Sequence, residues 1–99
     1  MRRGLDPYIV EVLMRDLTGH DRRPSAFLVY LFLWHRTAAQ GTKSIELSHR
    51  AIAEATGLSK SAVQAALRTL GRRKLVHSQR ASRTATPHYA VLRPWVRSR

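Results

Sequence analysis

The chain contains no cysteine among its 99 residues. Disulfides, thiolate metal sites and thiol nucleophiles are therefore excluded, and cysteine usage carries no mark of a redox compartment. Acids are scarce: six Asp and Glu stand against 18 Lys and Arg, a formal net charge of +12 with histidine neutral. No acid at all follows Glu54. Long apolar runs are also missing. The longest, Ala26 to Trp34, is nine residues, where a helix needs roughly 20 to span a bilayer. Behind the Met-Arg-Arg start there is neither an apolar stretch nor a small-residue cleavage site, so no signal peptide is expected. These absences point to a cytoplasmic, soluble protein.

What is present is an ordinary globular mix, 43% apolar and 24% charged, in a length that suits one domain. The charge is unevenly placed. Residues 1–42 hold six basic and four acidic side chains, a net of +2; residues 43–99 hold twelve and two, a net of +10. So basic a half suggests a polyanionic partner, with nucleic acid the first candidate and an anionic membrane surface the second. Nucleic acid would make the location nucleoid-associated.

Asp6-Pro7 has the form of a helix start, with Asp as N-cap and Pro at the first helical position. Ile9, Val12, Leu13 and Leu17 follow at helical spacing, and Gly19 is the expected stop. Pro24-Ser25 opens a second helix that runs to about Gln40, with Gly41 ending it. This helix is apolar nearly all round between Ala26 and Trp34 and must be covered on several sides. Lys43–Leu47 is a short strand candidate. Ser48 and Ser59 are N-caps of two further helices, one reaching Ala55 or Thr56 before Gly57, the other about Arg73. Val76–Arg80 and His88–Leu92 have strand character, with 81–87 as the loop between them and Tyr89 and Val91 on one face.

The stretch from His49 to Arg68 carries the sharpest signal. Ala53 is small where two helices must cross closely, Gly57 sits where the turn demands a positive φ, and Val63 packs the second helix on the first. Ile52, Leu58, Ala66, Leu67 and Leu70 complete an apolar seam. These positions fit a helix-turn-helix. The segment resembles the helix-turn-helix of winged-helix regulators of the multiple-antibiotic-resistance and GntR families. The likeness continues through Leu70-Gly-Arg-Arg-Lys-Leu-Val76, where Lys74 stands in place of the usual glycine. It covers about 43–92, half the chain. The fold implied is mainly α with a small β-hairpin wing: residues 1–42 form N-terminal helices for packing or dimerisation, 43–92 the winged helix-turn-helix, and 93–99 a basic tail.

On the second motif helix the residues outside the seam are Lys60, Ser61, Gln64, Ala65 and Arg68, following the Ser59 cap, and the helix contains no acid. Small residues at its start let a helix sink into a major groove, Gln pairs with adenine, and Arg takes guanine O6 and N7. A solvated helix face would more often carry Glu and Lys four residues apart. Arg80 and Arg83 flank a slim loop of Ala, Ser, Thr and Pro. The resemblance implies that a wing arginine, with Arg83 at the tip, reaches the minor groove or its phosphates. Arg72, Arg73 and Lys74 complement the dipole at the helix end, and Arg72 or Arg73 is also expected to touch backbone phosphate. His49 and Arg50, at the front of the first motif helix, are placed where a phosphate passes.

The other histidines, at 20, 35, 77 and 88, show no metal-type pairing. No Ser-His-Asp order, phosphate-cradling glycine loop or carboxylate pair emerges, so neither enzyme, metal nor cofactor is expected. Tyr30, Phe32 and Trp34 could line a ligand pocket, but core and dimer packing is the simpler account. The sequence reading is a winged-helix protein that binds double-stranded DNA as a homodimer, a transcription regulator. A plasmid or phage replication-initiator or partition protein, and a docking module for an acidic protein or RNA, are its alternatives.

Overall fold

The computed structural model describes residues 4–96; Arg97 and Arg99 of the basic tail lie outside them. Asp6 caps the first helix: its carboxylate accepts from the Tyr8 N–H at 3.0 Å and its carbonyl from the Ile9 N–H at 2.9 Å. The winding departs from expectation, because Ile9–Leu13 and Asp16–His20 are π-helical. Buried Ile9, Leu13 and Leu17 recur every four residues. A winding wider than 3.6 residues per turn keeps such a repeat on one line, where a regular α-helix would let it drift. Gly19 does not stop the helix. The reversal comes at Arg22, with φ 53°, and the Arg23 N–H closes it on the Leu17 carbonyl at 2.7 Å, a Schellman-like end.

Helix α1 is Pro24–Arg36 and ends short of Gln40. Thr37 leaves the helical region, and its buried hydroxyl donates back to the Leu33 carbonyl at 2.7 Å. A 3₁₀ turn, Ala38–Gln40, and left-handed Gly41 complete the corner. Helices α2, His49–Thr56, and α3, Lys60–Arg72, are joined by three residues beginning with Gly57 at φ 80°. Both caps form: Ser48 Oγ accepts from the Ala51 N–H, Ser59 Oγ from the Ala62 N–H. Strand β1 is only Ile45–Glu46, while β2 is Val76–Gln79 and β3 is His88–Val91. They form an antiparallel sheet in the order β1-β3-β2, with Ile45, Tyr89 and Ser78 in one row. The protein is thus mainly helical with a small three-stranded sheet. Among the described residues no helix is long and apolar enough to cross a membrane.

Helix α1 occupies the centre and packs chiefly on α3, with the N-terminal helix, α2 and β3 around it. Ile52, Val63, Ala66, Leu67 and Leu70 are buried as the seam requires, while Leu58 and Ala53 are half-buried beside them. The C-terminal segment covers the side of α1 that the sequence assigns to a second copy. Tyr30 donates its hydroxyl to the Leu92 carbonyl at 3.0 Å, and Arg93 lies over the Trp34 ring. Trp95 stacks on Tyr8 at 4.3 Å and donates its indole N–H to Asp6. Tyr30 and Trp34 are therefore interior side chains of one protomer and offer nothing to a dimer. Phe32 stays half-buried, and Val10, Met14 and Leu28 are exposed.

Lys74 stands at the turn from α3 into β2 with φ 58°. The turn forms without glycine, the Leu75 N–H reaching the Leu70 carbonyl at 2.9 Å. Left-handed backbone costs an L-residue roughly 1–2 kcal/mol, of which the greater freedom of an unfolded glycine offsets a part. Lys74→Gly is therefore expected to stabilise the fold by about 0.5–1 kcal/mol, read as a higher urea midpoint at unchanged slope.

Candidate nucleic-acid interface

Helix α3 divides cleanly by angle. At about 100° per residue, Lys60, Ser61, Gln64, Ala65, Arg68 and Arg72 fall within about 140° of one another. Val63, Ala66, Leu67, Thr69 and Leu70 occupy the opposite side and are buried. The outward face is graded: Lys60, Ser61, Arg68 and Arg72 are exposed, Gln64 and Ala65 half-buried. Ser59 is less available, since its hydroxyl already caps the helix and lies 3.3 Å from Ser61 Oγ.

Beside this face runs an open cleft of about 500 Å³ between α2, α3 and the β2–β3 hairpin. It gathers His49, Gln64, Arg68 and Arg80, four residues that the sequence singles out from three separate elements. Ser78, Gln79, Pro87 and Tyr89 also line it and escape the sequence reading. Ser78 had one available signal: it lies two residues after buried Val76 and opposite Tyr89, on the inner side of the sheet where the core runs out. No carboxylate lines the cleft.

The electrostatics follow from that lining. Partial burial, then the positive charges of Arg80 and Lys60, hold the His49 imidazole below its ordinary pKa. Burial pushes the Tyr89 phenol upward, with Arg80 opposing. The cationic α3 face and hairpin thus act together on the start of α2. The hairpin loop is braced by its own arginine, since Arg80 Nη1 donates to the Arg83 carbonyl at 3.1 Å. The Arg83 side chain itself is exposed on that loop.

Two predicted contacts have partners inside the protein. Arg50 pairs with Glu54 at 3.2 Å on an exposed turn, a bond weak enough to exchange readily. Arg73 is held more firmly, 2.6 Å from the largely buried Asp21 carboxylate and 3.7 Å from Asp16. Burial raises the Asp21 carboxyl, but hydrogen bonds from His20 and Arg73 outweigh it and leave its pKa below the ordinary value. The stabilisation is therefore present above the unfolded pKa and fades as pH falls through the folded one. Arg73 joins α3 to the N-terminal helix, and Arg72 alone of the pair remains on the outward face. Among the described residues no group of three or more His, Asp or Glu could hold a metal ion. Comparison with known proteins finds no matching family, no curated relative and no similar solved structure.

Proposed function

We propose that the protein binds double-stranded DNA sequence-specifically as a winged helix-turn-helix transcription regulator. In this reading α3 enters the major groove and the β2–β3 hairpin follows the flanking backbone as a wing. The observation that carries it is the continuity of the outward α3 face with the acid-free cleft and the hairpin arginines. A helix about 10–12 Å across with its side chains matches a major groove about 12 Å wide. Gln64 and Arg68, one turn apart, present an amide and a guanidinium to base edges, while Lys60, Arg72, Arg80 and Arg83 hold phosphates.

Selection of bound duplexes from a random pool tests this directly. Wild-type protein is expected to enrich a defined motif. Gln64→Ala or Arg68→Ala should each weaken binding to that motif by roughly 1–3 kcal/mol and flatten preference at one base position. Arg83→Ala should weaken most duplexes alike. A motif unchanged by both helix substitutions removes α3 as the reader, and a pool without enrichment removes sequence-specific binding.

The homodimer belongs to the same proposal on narrower ground. With Tyr30 and Trp34 interior, a second copy would use Val10, Met14 and Leu28, the apolar side chains left exposed on the two N-terminal helices. Two copies on one face of a duplex would read half-sites about 34 Å apart. Light scattering is expected to give twice the 11.3 kDa chain mass; a single-chain mass with one undivided footprint leaves a monomer.

A further inference from the structure

We propose that the cleft between α2, α3 and the hairpin seats one backbone phosphate of the bound duplex, and that His49 takes up a proton as it does so. The inference rests on the DNA-binding reading and adds to it a defined phosphate seat and a linked proton.

Every polar side chain lining the cleft can donate: the Arg80 guanidinium, the Gln79 amide, hydroxyls from Ser78 and Tyr89 and the His49 imidazole, beside the Gln64 amide and Arg68 guanidinium that the DNA reading gives to base edges. None is an obligate acceptor. Such a set is complementary to an anion, and a phosphodiester is the anion a duplex brings between groove and flanking backbone. His49 is placed at the first residue of α2, at the mouth shared by α3 and the hairpin.

The charged groups facing His49 from each neighbouring element are cationic. Helix α3 supplies Lys60 and Arg68, and the hairpin supplies Arg80 with the Tyr89 phenol. On α2 itself, Arg50 is paired with Glu54. Among these, only an imidazole changes charge between about pH 5 and pH 8. In the free protein, burial and the like charges of Arg80 and Lys60 disfavour its protonated form. A phosphate in the cleft offsets those charges and accepts an N–H bond best from imidazolium, so the protonated form gains on binding. His77 and His88 line a neighbouring cleft that has Gln79 and Arg80 in common with this one, but neither histidine lines the seat itself.

The sign follows. If the bound form holds the proton more tightly, affinity rises as pH falls through the histidine range. Anisotropy with a fluorescein-labelled, mixed-sequence duplex of two helical turns, at constant ionic strength, reads it. Wild-type affinity is expected to rise several-fold from about pH 8 to about pH 6, with about tenfold the ceiling that a one-unit difference between bound and free His49 allows. His49→Gln should stay within about twofold over that range. Proton NMR of the wild-type His49 ring, titrated with and without the duplex, should show the free-protein midpoint move upward. A several-fold rise that persists in His49→Gln, or a His49 midpoint that the duplex leaves in place, overturns the inference. Duplex binding without pH dependence overturns it alone and leaves the DNA reading standing. No duplex binding at any pH overturns both.

Discussion

Tyr30→Ala is expected to lower the melting temperature by roughly 15–30 °C, from a loss of about 3–5 kcal/mol in a domain of this size. Tyr30 is fully buried at the middle of α1, and its ring lies 6.5 Å from that of Trp34. Truncation removes a whole aromatic ring from a fully buried position where the C-terminal segment closes on α1. Small domains are stable by only about 5–15 kcal/mol, so one such cavity removes a large share of the total. The hydroxyl adds a second, smaller element. Burial raises the phenol pKa, so the group stays protonated and donates to the Leu92 carbonyl. Tyr30→Phe should cost only about 1 kcal/mol, because it removes one hydrogen bond and leaves the buried ring in place. Circular dichroism melts of the two variants separate ring from hydroxyl. A Tyr30→Ala midpoint within a few degrees of wild type would falsify the assignment of this side chain to the core.

Much of the fold was legible because its instructions are local. Ser48, Ser59 and Gly57 act within four residues of themselves, and each does what its residue type predicts. The seam of Ile52, Val63, Ala66, Leu67 and Leu70 was readable for the same reason, since helical spacing alone puts these residues on one side. One turn escaped because its left-handed residue is Arg22, where glycine would have announced the conformation, while the turn at Lys74 was placed only through the resemblance. The end of α1 escaped because Thr37 breaks the helix through its own back-bonded hydroxyl. Long-range pairings left no periodic signal. Arg73 looked like one more helix-end cation until the fold placed Asp21, 52 positions away, against it. Trp95 closes on Asp6 and Tyr8 across 89 positions, and that closure buries the aromatic surface the sequence had left for a partner. The same distinction applies to the candidate interface. Arg68 and Gln64 were legible from helix geometry, whereas Ser78, Gln79 and Tyr89 join them only through strand pairing.

Duplex affinity is expected to fall about a thousandfold between 50 and 200 mM salt, with a slope of log K against log salt near −5. Ten basic residues follow Glu54, but they do not count equally. Arg73 is neutralised by Asp21 and Asp16, and Arg93 lies over the Trp34 ring within 4.0 Å of Asp6. Lys60, Arg68, Arg72, Lys74, Arg80 and Arg83 are all exposed, on α3, the turn that follows it and the hairpin. Each phosphate neutralised on B-DNA contributes about −0.9 to the slope, so the five cations other than base-reading Arg68 give about −4.5, close to −5. The individual residues then separate by position. Arg72→Gln or Arg83→Gln should make the slope shallower by about 1 each while leaving base preference alone. Arg73→Gln should lower stability and leave the slope unchanged, because its charge is already matched within the protein. Titrations across a salt series with each variant decide between these roles. A wild-type slope between zero and −1 would remove the electrostatic basis of binding altogether, and a slope that responds to Arg73 but not to Arg72 would place the duplex on a different face of α3.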